Sequence, residues 1–390
     1  MIPYGRQDIS EADSAAVLDV LHSDWLTQGP TGPRFEAALA GYVGVPHAVV
    51  VSNATAALHL TYLAMGMGPG KLVWTTPNTF VATANAALYC GAMIDFVDID
   101  PHSYCLSMDG LEAKLVRTQK SGGQLPDLVT TVHFAGQSCE MPRLFALGQQ
   151  YGFKIVEDAS HAIGADADGG KVGDCRYSDA CIFSFHPVKI ITTGEGGAIT
   201  TRDASLAQRL GELRSHGITR NPNRMVGASE GAWYYQQIGL GYNYRLTDLQ
   251  SALGLSQLQR IDPFIARRRA LAARYDRLLA ALPLERPWQH PAGQSAFHLY
   301  PVTMKPDQVP QGRAVVFDAL RKAGIGVNVH YIPVHLQPYY CDLGFNQGDF
   351  PQSEAYYAAA LTLPLFASMT DSQQDEVVAV LSQILNGSKP

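Results

Sequence analysis

A mostly parallel α/β sheet in a large first domain, followed by a smaller α+β domain, is the fold class this sequence predicts, on three observations. From His47 to Thr201 short apolar runs alternate with helix-period runs, the pattern of strands joined by crossover helices. The composition shifts at Ile261-Asp262-Pro263, where a long Arg- and Ala-rich helix begins, so the expected domains are residues 1–262 and 263–390. With 390 residues, 46% hydrophobic and 16% charged, the chain is long enough for two domains and too apolar for disorder.

Taken in order, Ser10 followed three residues later by Asp13 has the form of a capping box and opens a helix through Val17, Leu18, Val20 and Leu21. After the turn TQGPTGP, Phe35, Leu39, Tyr42 and Val43 fall at helical spacing. His47 to Val51 reads as a buried strand, Ala54 to Met65 as a helix, Leu72 to Thr75 as a strand, Val81 to Cys90 as a helix and IDFVDID as a strand. Leu128 to Phe134, Phe153 to Glu157, Ala180 to Phe185 and Gly197 to Thr201 complete the first set of strands. The second domain is expected to hold the strand FHLYPVTM, a helix around Val316 to Ala323, the strand GVNVHYIPV and a terminal helix from Gln373 to Leu385.

Several function classes are excluded at this level. A formal charge of -6 and the lack of any basic stripe beyond Arg267-Arg268-Arg269, assigned to a solvated helix face, argue against nucleic acid. Six scattered cysteines without CxxC or Cys/His spacing indicate neither a metal site nor a disulfide framework, so reduced thiols and a cytoplasmic location are expected. The start MIPYGRQDIS is no leader, and no apolar run is long enough to cross a bilayer; no membrane is expected.

Four segments that each end a strand carry the chemistry. Ser52 to Leu58 opens a helix whose free N–H groups and positive dipole end suit a phosphate. Thr76-Pro77-Asn78-Thr79-Phe80 puts an aromatic ring past a strand end, where it can stack on a planar group. VEDASHAIGA brings Glu157, Asp158 and His161 to the end of an apolar strand, where an unpaired carboxylate is costly and Asp158 needs a partner such as a protonated ring nitrogen. SFHPVKIITTGEGG places Lys189 between a strand and a glycine-rich turn, with the Ser184 hydroxyl five residues before it. A lysine, a carboxylate, an aromatic stacker and a phosphate cradle are together what pyridoxal phosphate chemistry requires. A nicotinamide oxidoreductase would need a GxGxxG turn after the first strand, and Ser52 to Ala57 contains no glycine.

VEDASHAIGA and SFHPVKIITTGEGG, with GYNYRLTDLQSALGLSQL, resemble the DegT/StrS-type sugar aminotransferases of the type I aspartate aminotransferase fold, through nearly the whole chain. The resemblance implies that Lys189 bonds the pyridoxal phosphate, Asp158 partners its ring nitrogen, and His161 and Phe80 pack beside the ring. It implies phosphate contacts from Ala54, Thr55 and Ser184, and from Asn243 of the neighbouring subunit of an obligate homodimer with shared active sites. Two departures are Asn53-Ala54-Thr55, where many relatives have Ser-Gly-Thr, and Ile190, which is often polar in relatives. Neither removes a reacting group. A sugar dehydratase of the same fold would carry histidine in place of Lys189, and a non-catalytic cofactor-binding regulator could lose the base that is intact here.

Within the family, Ile2 to Gln7, Leu26 to Pro30, Phe185 to Lys189, Trp233 to Tyr235 and Val329 to Pro333 resemble the aminotransferases of pseudaminic acid synthesis. That resemblance implies L-glutamate as donor and the C4 ketone of a UDP-linked 4-keto-6-deoxy N-acetylhexosamine as acceptor. Tyr4, Arg6, Thr27, Gly29, Tyr244, Arg245, His330 and Tyr331 are the expected substrate contacts, with the two arginines suited to a diphosphate.

Overall fold

The computed structural model describes residues 1–386. Seven strands, β1 (His47–Val51), β2 (Leu72–Thr75), β3 (Met93–Phe96), β4 (Leu128–Val132), β5 (Lys154–Asp158), β6 (Ala180–Ser184) and β7 (Gly197–Thr201), form one sheet in the order β1-β7-β6-β5-β4-β2-β3. Only β7 runs against its neighbours; every other pairing is parallel. Every residue of β4, β6 and β7 is buried, as in a sheet covered on both faces. Ile182 packs under the helices Ala54–Ala64 and Ala204–Leu213, while Cys181 and Phe183, one step along the strand, face the helix Thr31–Val43 and the start of Ile261–Leu278.

The register decides what meets at the sheet edge. Asp158 ends β5 opposite Val132 and Ile182, and Ser184 ends β6 opposite Gly197, which is itself opposite Val51 at the end of β1. The strand-end segments at 52–55, 76–80, 158–161 and 184–189 therefore lie along one edge, the ligand-binding edge of an open α/β sheet.

A second sheet, β8 (Leu284–Glu285), β9 (Tyr300–Met304) and β10 (Ala360–Leu363), is antiparallel in that order. The helices Gly312–Lys322 and Asp371–Leu385 cover it. The helix Ile261–Leu278 joins both layers: Ile261, Phe264 and Ile265 pack with the large sheet, whereas Leu271, Ala272 and Tyr275 pack with the small one. Ile2 bridges Ile325 and enters the small-sheet core, so the N-terminus packs with residues more than three hundred positions away.

The capping box at Ser10 and Asp13 is present, and most expected elements are present with shifted ends. Two expectations are corrected. Gly326 to Val334 is not a strand: it makes a single bridge, Asn328 to Thr362, because His330 and Tyr331 turn toward the large sheet's edge and Pro333 has no N–H to extend a ladder. Nor do the three arginines share a solvated face. Arg267 pairs with Asp371 and Arg269 with Asp166, but Arg268 is fully buried and donates to the carbonyls of Phe297, His298 and Leu365. Consecutive helical residues point about 100° apart, so three in a row must sample different environments.

Candidate active site

A cavity of about 870 Å³ opens at the sheet edge and is lined by Ala54, Thr55, Phe80, Asp158, Ser184 and Lys189 together with His161, Tyr4, Tyr244, His330 and Tyr331. All four strand-end segments contribute to it.

The helix Ala54–Ala64 begins at the cavity wall. Asn53 caps it, its side chain accepting from the Ala56 N–H at 2.8 Å while its carbonyl takes the Ala57 N–H. The N–H groups of Ala54 and Thr55 have no carbonyl within the helix to bond. Gly197 allows this start to sit against the first residue of β7: a Cβ there would stand 2.6 Å from Ala54 N and 2.6 Å from Asn53 C. That glycine serves the approach of one backbone to another, whereas Gly194, at φ 79°, makes the turn itself.

Lys189 is held on both sides. Phe185 and Ile190 are buried in one core cluster, and the turn between them is tied by the Lys189 N–H to the His186 carbonyl and by the Thr192 hydroxyl to the Phe185 carbonyl. Ile190, one of the two departures, is thus an anchor. The Lys189 ammonium makes no hydrogen bond or ion pair among the described residues, and burial pushes its pKa down from 10.5 to about 8, against the pull of Asp158.

Asp158 is buried and takes two donors, the Thr83 hydroxyl at 2.7 Å and the Ser160 N–H at 3.1 Å, neither of them a cation. Its neighbour Glu157 points to the other side of the sheet, as alternate strand residues must. There it meets His133 Nε2 at 2.7 Å and the Ser178 hydroxyl, so only one of the two carboxylates reaches the cavity.

His161 is buried, and its protonation is set locally. Nδ1 accepts the Ala135 N–H at 3.3 Å, which leaves Nε2 to carry the proton and donate to the Tyr331 hydroxyl at 3.0 Å. Burial, with Lys189 and His330 nearby, pushes its pKa well below the usual imidazole value. Burial and Lys189 likewise bring His330 down to about 3. Phe80 stays 59% exposed, its ring 6.3 Å from that of Tyr331.

Arg6, Thr27, Gly29, Asn243 and Arg245 do not line this cavity. Gly29 has another task, since its N–H and that of Thr31 both bond the buried Asp248 and a Cβ would stand 2.5 Å from that carboxylate. Asn243 and Thr27 are exposed. The sequence reading missed Thr83, His298, Asn328 and His59, which also line the cavity. His298 lies 4.5 Å from the His161 ring, and nothing in AFHLY marks it. Among the described residues no group of His, Cys, Asp and Glu is arranged to hold a metal ion, and no helix is long and apolar enough to cross a membrane.

A mixed seven-stranded sheet with a half-buried lysine and a buried carboxylate at its edge, backed by a small α+β layer, is the architecture of an aminotransferase of the α/β class. The chain belongs to the DegT/DnrJ/EryC1/StrS aminotransferase family, whose model matches residues 7–382. It is 38% identical to the spore coat polysaccharide biosynthesis protein SpsC of Bacillus subtilis, over 99% of this chain and 98% of that one. It is 36% identical to the UDP-4-amino-4,6-dideoxy-N-acetyl-beta-L-altrosamine transaminase of Campylobacter jejuni, over 99% of each chain. Among solved structures, PseC of Helicobacter pylori, an aminotransferase involved in the biosynthesis of pseudoaminic acid, superposes with a TM-score of 0.90 at 31% identity over 99% of each chain. The PLP-form of Spr1654 of Streptococcus pneumoniae superposes with a TM-score of 0.88 at 28% identity over 99% of each chain.

Proposed function

We propose that this sugar aminotransferase moves an amino group from L-glutamate to C4 of a UDP-linked 4-keto-6-deoxy N-acetylhexosamine, giving UDP-4-amino-4,6-dideoxy-N-acetyl-β-L-altrosamine. Pyridoxal phosphate is the cofactor. The observation that carries the reading is Lys189, a half-buried, desolvated ammonium without a partner among the described residues, in a cavity that also holds the buried carboxylate of Asp158 without a cation bonded to it. A planar, charged molecule fits both groups, and the N–H groups of Ala54 and Thr55, which have no helix carbonyl to bond, fit its phosphate.

When bound, pyridoxal phosphate supplies the amino-group carrier and a ring that accepts electrons. The chain's residues do the rest. Ala54, Thr55 and Ser184 bind the phosphate, Asp158 keeps a proton at the ring nitrogen, and Phe80 and His161 pack beside the ring. Lys189 would hold the cofactor and, as a neutral amine, would move the proton on and off the carbon bearing the amino group. A pKa near 8 leaves about one lysine in ten neutral at pH 7, enough for a base that an ordinary lysine would not provide.

Asn243, Arg6, Thr27 and Arg245 are assigned to a cavity shared between two copies of the chain, with Asn243 at the partner's phosphate. Support comes from apolar side chains left exposed on one copy: Leu18 and Leu21 on the helix Glu11–Leu21, Trp25 and Leu26 just after it, and Val226, Trp233 and Leu240 in the segment before Asn243. Tyr4, Tyr244, His330 and Tyr331 are the assigned contacts within one chain. A cytoplasmic location agrees with six unpaired cysteines.

The test supplies purified protein with pyridoxal phosphate, L-glutamate and a panel of 4-ketosugars: the UDP-linked L-arabino compound, its D-xylo epimer and dTDP- or GDP-linked analogues. Products are identified by mass and NMR. Preference for the UDP L-arabino ketosugar is expected; preference for another member of the panel overturns the substrate while leaving the aminotransferase in place.

A further inference from the structure

The carboxylate of Asp158 is held by a short chain of hydroxyl groups. Thr83 Oγ1 lies 2.7 Å from Asp158 Oδ2 and 2.8 Å from Thr79 Oγ1. An ionised carboxylate only accepts, so the single Thr83 proton goes to Asp158 and Thr79 must donate to Thr83. Donors in series strengthen one another, and all three groups are buried. The backbone around Thr83 is also pinned, because its carbonyl takes the Tyr62 hydroxyl at 3.1 Å, and that hydroxyl contacts Thr130 Oγ1 on the neighbouring strand at 2.7 Å. On the opposite side Asp158 Oδ1 takes the Ser160 N–H. With one donor on each oxygen the carboxylate cannot swing about its Cβ–Cγ bond, and its remaining lone pairs are directed by these two bonds.

Thr79 adjoins Phe80 in the turn that follows β2. The same turn therefore presents the aromatic ring to the cavity and, through two hydroxyls, sets the angle of the carboxylate. We infer that Thr83, backed by Thr79, is a positioning residue that locks the Asp158 carboxylate so that one oxygen faces the cofactor's ring nitrogen in register with the ring stacked by Phe80. This rests on the reading of Asp158 given above.

Three variants separate this role from simple packing. Thr83→Val keeps shape and volume but removes the hydroxyl; Thr83→Ser keeps the hydroxyl and removes a methyl; Asp158→Asn tests the underlying reading. Each cofactor-free protein is titrated with pyridoxal phosphate, the absorbance of the bound cofactor is followed against pH, and thermal unfolding is recorded. A hydrogen bond to a charged group contributes about 1.5–3 kcal/mol, so Thr83→Val is expected to weaken pyridoxal phosphate binding by roughly 10- to 100-fold and to move the pH at which the bound cofactor's spectrum changes. Thr83→Ser should restore both to within about threefold, and Thr79→Val should show a smaller shift in the same direction.

The reverse pattern, with Thr83→Val like wild type in binding and spectrum and Thr83→Ser less stable, means that Thr83 only fills space and overturns the inference. If Thr83→Val does not fold, Thr79→Val decides in its place, and wild-type binding and spectrum in that variant overturn it. Wild-type binding, spectrum and turnover in Asp158→Asn would instead remove the reading on which it rests.

Discussion

Replacing Lys189 by methionine should stabilise the cofactor-free protein, although it removes the residue on which the proposed chemistry turns. The folded chain holds the Lys189 ammonium at a pKa of about 8, against 10.5 for an ordinary lysine. At neutral pH, and up through the interval between these values, the unfolded chain binds more protons than the folded one at this position. The group therefore disfavours folding most at low pH, and the penalty fades as pH rises through that interval. The full difference corresponds to at most about 3.4 kcal/mol at pH 7, and the same linkage leaves about 2 kcal/mol at pH 9. Methionine keeps an unbranched apolar stem and carries no charge. With an unfolding entropy of about 2.1 cal/mol/K per residue, the variant should unfold up to about 4 °C higher than wild type at pH 7 and about 2 °C higher at pH 9. Thermal unfolding of both cofactor-free proteins at the two pH values measures this. A variant no more stable than wild type at pH 7, or a gap that does not shrink at pH 9, refutes the idea of an unpaired, desolvated ammonium.

Gly197→Ala forces a Cβ to within 2.6 Å of the Asn53-Ala54 backbone, so it should cost about 1–3 kcal/mol and weaken pyridoxal phosphate binding; Gly211→Ala, in open space on a helix, should raise stability by up to about 1 kcal/mol in the same unfolding assay. Arg268→Met leaves the carbonyls of Phe297, His298 and Leu365 without their shared donor and should lower stability by about 2–4 kcal/mol in urea, a loss not seen for Arg267→Met. If Asn243 serves the partner's cavity, mixing inactive Lys189→Ala chains with inactive Asn243→Ala chains should restore activity in hybrid dimers, each with one intact site; no recovery after proven subunit exchange argues against a shared site.

The local order of residues determined most of the scaffold. Alternating apolar runs and helix-period runs suffice to place six parallel strands, because strand and helix periodicity are properties of neighbours in sequence. The motifs at their ends suffice to bring Lys189, Asp158, His161, Phe80 and Ser184 to one edge, because parallel strands linked by helices must end together. The period of two along β5 even separates Asp158 from Glu157, although the sequence reading kept both. Gly326 to Val334 shows the limit: its apolar pattern is that of a strand, yet its one bridge depends on where β10 runs. What tertiary structure alone decided are contacts between residues far apart in the chain. Thr83 meets Asp158 across 75 positions, and His298 comes from the second sheet's approach to lie beside His161. Arg268 could be assigned to the interior only once three carbonyls had converged on it. A hydroxyl, an imidazole or a guanidinium enters the core only where a partner found after folding repays its desolvation, and that partner is absent from its own stretch of sequence.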